Sequence, residues 1–60
     1  MIHYFTDTKA NITTRVAKGQ TKLFETRQAA EQFAKERYSY VYEVEAKSEN
    51  DVKYFYGVPN

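Results

Sequence analysis

From Tyr38 to Val58 the side chains trade places at almost every step, and no other feature narrows the fold of this chain as far. Tyr38, Tyr40, Tyr42, Val44 and Ala46 alternate with Ser39, Val41, Glu43, Glu45 and Lys47. After a polar break, Val52, Tyr54, Tyr56 and Val58 alternate with Lys53, Phe55 and Gly57. Successive side chains of a strand point to opposite faces, so a period of two in Tyr, Val and Phe predicts two strands. Charge suggests their register. Pairing Ala46 with Val52 sets Val44 across from Tyr54 and Tyr42 across from Tyr56, with Glu45 facing Lys53 and Lys47 facing Asp51. A slip of two residues would oppose Lys47 to Lys53 instead. Ser48-Glu49-Asn50 then closes the hairpin, with Asn50 able to adopt a left-handed conformation.

A different period precedes this pair. In the segment 26–37, Ala29, Ala30, Phe33 and Ala34 recur at one-, three- and four-residue offsets and make one apolar stripe, continued by the stem of Arg37. Thr26 is suited to cap this helix, because its hydroxyl can accept from an otherwise unpaired backbone N–H. Arg27, Gln28, Glu31, Gln32, Lys35 and Glu36 form the polar side, with Arg27–Glu31 and Glu31–Lys35 at i,i+4. Small alanines beside one ring suit close approach to a sheet, so the helix is expected to lie on the sheet as a lid.

The N-terminal half carries weaker signals. Ile2–Thr6 reads as a strand and Asp7–Asn11 as a turn. Ile12–Lys18 is β-branched and alternating, which predicts a second strand. Gly19-Gln20 would reverse the chain in a tight turn that pairs Val16 with Leu23 and Arg15 with Phe24. Lys22–Glu25 completes a third strand. The expected fold is therefore α+β: a single small domain over residues 1–60, β-β-β-α-β-β, with one helix (about 26–37) packed on one face of an antiparallel sheet. Numbering these strands in chain order, 3-2-1-5-4 keeps all neighbours antiparallel and permits a right-handed helical crossover.

Composition removes several classes of function. With no cysteine, the chain has no disulfide framework, thiolate metal site or cysteine nucleophile, and a reducing, cytoplasmic location is expected. The N-terminus does not read as a secretory signal, and no apolar run approaches the length of a membrane span. The only histidine, His3, has no second His or Cys to complete a metal or general-base site. Ser39 and Ser48 lack a nucleophile elbow, and Gly19 and Gly57 belong to no phosphate loop. Glu43 and Glu45, with Glu49 and Asp51 nearby, read as a solvated acidic face rather than a cation site. No enzyme activity, cofactor or metal is expected.

Charge is uneven along the chain although the net value is only +1. Residues 1–30 carry +3 (five basic against two acidic), and residues 31–60 carry −2 (four against six). Lys9, Arg15, Lys18 and Lys22 on a basic 9–22 hairpin would be able to meet phosphates, with Tyr or Phe rings stacking on bases. Four cations are few for tight binding, and lysines on edge strands also discourage unwanted pairing.

The stronger indication is aromatic. Six tyrosines and four phenylalanines stand in a chain of 60 residues, more than one thin helix can cover. Phe55 and Val41 fall on the charged side of the expected hairpin, and Phe5 alternates out of phase with Ile2 and Tyr4. Tyrosine suits partly buried interfaces, where the ring packs and the hydroxyl stays wet.

The segment from Leu23 to Ala46, LFETRQAAEQFAKERYSYVYEVEA, resembles a helix–strand unit in some ADP-ribosyltransferase-like domains, where a similar Thr-x-x-x-Ala-x-x-Phe-Ala helix leads into a Tyr-Val-Tyr-Glu-Val strand. This resemblance consists of general helix-to-strand chemistry, and it carries neither an activity nor site residues to this chain.

The sequence thus points first to a noncatalytic protein-binding module acting through Phe5, Tyr40, Val41, Phe55 and Tyr56. A small regulator or inhibitor, of the size found on mobile elements, fits this description. Its partner would be another protein or a second copy of itself, and no membrane is involved. The rival expectation is a nucleic-acid-binding protein using Lys9, Arg15, Lys18 and Lys22.

Overall fold

A computed structural model describes every residue from Met1 to Asn60. Its elements in chain order are β1 (His3–Thr6), α1 (Thr13–Ala17), β2 (Thr21–Phe24), α2 (Arg27–Glu36), β3 (Tyr42–Lys47) and β4 (Val52–Pro59). The strands form one antiparallel sheet in the order β1-β3-β4-β2, with the main helix packed on one face.

Helix α2 forms where the apolar spacing places it. Thr26 keeps an extended backbone, and its Oγ1 accepts from the Ala29 N–H at 3.2 Å. Ala30 and Ala34 bury against Val58, surrounded by half-buried Phe24, Phe33, Val41 and Tyr56. Ala29 faces solvent, so the lid contacts the sheet along a narrower line than its four apolar positions imply. Outside, Arg27 Nε donates to Glu31 Oε1 at 3.0 Å. The helix ends as Ser39 N–H donates to Ala34 C=O at 2.8 Å, with Tyr38 left-handed at φ 53°.

The segment expected as a second strand is a helix instead. The β-branched residues at 12–16 disfavour helix by only about 0.5 kcal/mol each relative to alanine, which tertiary burial overrides. As a helix, the i,i+4 pair Ile12 and Val16 shares one side, and Ile12 is only 2% exposed. Two hydrogen bonds secure the N-terminal end of α1. Asn11 Oδ1 accepts from Thr13 N–H at 3.0 Å, and Thr13 Oγ1 accepts from Tyr4 N–H at 2.9 Å. Gly19 is therefore no hairpin turn. It sits at φ 76° just past the end of α1, where Gln20 N–H reaches Arg15 C=O at 2.8 Å and Gly19 N–H reaches Val16 C=O at 3.1 Å.

Strand order also differs from the 3-2-1-5-4 arrangement. β1 lies beside β3 rather than beside the last strand, and β4 fills the gap between β3 and β2. Both β2 and β3 run antiparallel to β4, so β2-α2-β3 is a crossover between parallel strands with β4 inserted. α1 contacts both edge strands, β1 and β2, and so spans the face that α2 leaves open. The sheet is covered on both sides, each in part.

The β3–β4 register is shifted by one residue from the charge-based expectation. Lys47 pairs with Val52, Glu45 with Tyr54, Val44 with Phe55 and Tyr42 with Gly57. Ser48 closes a longer turn, with its N–H donating to Asp51 C=O at 2.9 Å. The shift reverses which face each β4 side chain occupies. Phe55 joins Val44, Tyr42, Leu23 and Tyr4 on the α1 face, while Tyr54 and Tyr56 join Glu43, Glu45, Phe5 and Phe24 on the α2 face.

Magnitudes explain the outcome. The forgone cross-strand ion pairs are worth about 0.2–1 kcal/mol each, whereas fully burying one valine is worth about 1.5–3 kcal/mol. The observed register buries Val44 on one face and Val58 on the other. It also places Gly57, the one residue of β4 without a side chain, where a Cβ would meet Val44 Cγ2 at 2.8 Å, Tyr42 Cε2 at 3.1 Å and Thr21 Cγ2 at 3.2 Å. Tyr42 takes that space, and its hydroxyl lies 2.8 Å from Thr21 Oγ1 in a hydrogen bond that satisfies buried Thr21.

Candidate interaction surface

Two incomplete lids leave rings uncovered. Tyr38 is 99% exposed, Tyr54 72% and Tyr40 65%, the most open of the aromatic side chains. Their positions follow from local structure. Tyr38 occupies the left-handed residue after α2, which points the chain away from the helix and its ring into solvent. Tyr40 lies in the connection to β3, with its ring centroid 6.0 Å from that of Tyr42 and the planes tilted by 44°. Tyr54 stands opposite Glu45 on the half of the α2 face that α2 does not reach.

Open grooves flank Tyr40 and Tyr54. Tyr40 borders one groove together with Thr6, Asn11, Arg15 and Tyr42, and a second with Arg27, Lys35 and Val41. Tyr54 borders a third, formed with Thr6, Lys9, Glu43 and Glu45. Thr6 and Asp7 line both the first and the third, so the turn after β1 separates the Tyr40 and Tyr54 areas. Each groove mixes ring edges, hydroxyls and charges of both signs.

The residues singled out from sequence do not form one patch. Tyr40 is exposed, but Val41 packs against the Ala30–Ala34–Val58 cluster. Tyr56 packs there too, with the Arg27 guanidinium 5.8 Å above its ring. Phe5 is half-buried on the α2 face beneath Lys47, whose Nζ lies 5.6 Å from the ring centre. Phe55 is half-buried on the opposite face, where it lines a groove with Ile2, Tyr4 and Ala46. Sequence reasoning singles out neither Tyr38 nor Tyr54, the two most exposed rings. Tyr38 stands where a helix usually ends in glycine, a signal the sequence carries, whereas the face Tyr54 occupies follows from the β3–β4 register and has no local signal.

The basic residues are dispersed. With 13–17 helical, Lys9, Arg15, Lys18 and Lys22 no longer share a hairpin. Lys9 Nζ donates to Glu45 Oε2 at 3.4 Å beside β1. Arg15 lines the Tyr40 groove, and Lys18 ends α1. Lys22 belongs to the opposite edge strand, about 14 Å from β1 across three strand spacings. Its Nζ lies 5.8 Å from the Phe24 ring centre and 5.1 Å from that of Phe33, and the Arg37 guanidinium lies 3.7 Å from the same Phe33 ring. Lys22 and Arg37 thus cover rings beside α2.

His3 is exposed on β1, and no group of three or more His, Asp or Glu side chains converges as metal ligands would. No helix is long and apolar enough to cross a membrane. Comparison of the chain with family models, curated proteins and solved structures finds no match in any of the three.

Proposed function

We propose that this chain is a noncatalytic protein-binding module, a small regulator or inhibitor, that engages its partner through exposed tyrosines with Tyr40 at the centre. The observation that carries this reading is the placement of Tyr38. A residue with a Cβ at positive φ costs about 1–2 kcal/mol, and a fully exposed ring recovers none of it within the chain. Tyr40 stands two residues further on, also exposed and already held near Tyr42. Rigid rings with polar tips lose little entropy on docking and tolerate water when free. Half-buried Val41 lines a groove beside Tyr40, while Tyr56, Phe5 with Tyr54, and Phe55 offer further apolar edges elsewhere. The cysteine-free composition suits a reducing, cytoplasmic setting.

The test is affinity capture with immobilised wild-type chain beside a Tyr38→Ser/Tyr40→Ser double variant of unchanged circular dichroism. A discrete protein retained by the wild type and at least about tenfold weaker on the variant is the expected result, because interface tyrosines commonly contribute 1 kcal/mol or more each. Equal retention by both chains, or no retained protein, would refute the reading.

A further inference from the structure

The sheet has two edges, and the chain supplies hydrogen-bond partners to the outward backbone groups of only one. At β1 the outward-pointing backbone groups belong to Tyr4 and Thr6, and each has a partner. Tyr4 N–H donates to Thr13 Oγ1 at 2.9 Å, and Tyr4 C=O accepts from Ile12 N–H at 2.8 Å. Thr6 N–H donates to Ala10 C=O at 3.0 Å, and Thr6 C=O accepts from Lys9 N–H at 2.9 Å. At β2 the parity is set by Asn60, whose N–H donates to Gln20 C=O at 2.8 Å. By alternation Gln20, Lys22 and Phe24 address β4, and Thr21 and Leu23 turn their N–H and C=O groups outward; Thr21 is only 5% exposed, so half-buried Leu23 is the residue whose outward groups a partner strand meets first. No loop or side chain hydrogen-bonds those groups. Thr21–Phe24 also carries no proline and no bulge, two devices that blunt exposed edges, and its one lysine lies over the rings of Phe24 and Phe33.

We propose that a second copy of this chain pairs with β2 along this edge, antiparallel, with Leu23 on the twofold axis. The two four-stranded sheets then run together as one. A second copy is favoured because β2 is complementary to itself in this register. Leu23 exchanges both backbone hydrogen bonds with its own counterpart, and the two half-buried leucine side chains meet on the α1 face. On the α2 face Lys22 of each chain falls opposite Phe24 of the other, so each cation meets a ring. With Lys22 on the axis, like charges would face each other. With Phe24 on the axis, Glu25 would fall opposite Leu23.

Four residues per strand make a small contact, below the usual size of a permanent interface, so the dimer is dynamic and depends on concentration. It shares no residue with the tyrosine surface, and the two proposals stand or fall separately.

Sedimentation equilibrium of the wild-type chain up to about 1 mM, a concentration that populates even weak contacts, reads the association directly. The weight-average mass is expected to climb from 7.1 kDa toward twice that value. Amide exchange at Leu23 slows with it, while the β1 amides stay constant. Leu23→Pro removes an outward N–H, at an edge position where a strand tolerates proline, and abolishes the rise in mass. Tyr40→Ser leaves that rise intact. A constant 7.1 kDa overturns the proposal without any variant. So does association that survives Leu23→Pro with the fold retained, or protection of Leu23 that follows an added foreign protein rather than chain concentration.

Discussion

Replacing Tyr38 by glycine should stabilise this protein, an unusual direction for removing a large side chain. The left-handed conformation at φ 53° costs a residue with a Cβ about 1–2 kcal/mol, and glycine avoids that cost. Glycine also makes the unfolded chain more flexible, which takes back about 0.4–1 kcal/mol. The ring is 99% exposed, so its loss forfeits almost no burial. The net gain is about 0.5–1 kcal/mol, which corresponds to a rise in Tm of about 2–8 °C for a domain of this size. Tyr38→Ala is the necessary companion. It deletes the ring but keeps the Cβ and should leave stability within about 0.5 kcal/mol of wild type, as an exposed substitution does. Thermal and urea unfolding followed by far-ultraviolet circular dichroism separates the two contributions. If Tyr38→Gly is no more stable than Tyr38→Ala, the backbone carries no strain there. If Tyr38→Ala loses more than about 1 kcal/mol, the ring packs on something and is not the free surface described above.

Two further substitutions probe the covered parts of the sheet. Gly57→Ala drives a methyl into Val44, Tyr42 and Thr21 and should cost about 1–3 kcal/mol in urea unfolding, whereas a neutral result would contradict the register. Ile12→Ala empties a site only 2% exposed and should cost about 2–5 kcal/mol, while a loss below about 0.5 kcal/mol would mean that α1 is no part of the core.

What could be read from the sequence was whatever a short window controls. The 26–37 helix was legible because its apolar spacing, its Thr26 cap and its good helix formers agree, and nothing remote opposes them. The strands around Tyr4, Tyr42 and Tyr54 were legible for a similar reason, since alternation survives whichever neighbour a strand acquires. The candidate surface was legible only as an excess of rings over available cover. Choosing which rings stay out required knowing that Ile12–Ala17 covers a second face and that Tyr54 turns away from Val44.

The sequence by itself therefore determined an antiparallel sheet, its main helix and a surplus of aromatic surface, all set by periodicities within a few residues. Tertiary structure alone decided that 13–17 is a helix, that β4 lies between β3 and β2, and that the hairpin is shifted by one residue. Local preferences at these points differ by about 1 kcal/mol or less, so they do not choose. Burying Val44 and Ile12 beneath one cover and Val58 beneath the other, with Gly57 yielding its space to Tyr42, outweighs them by several such increments, and that sum exists only once distant segments meet.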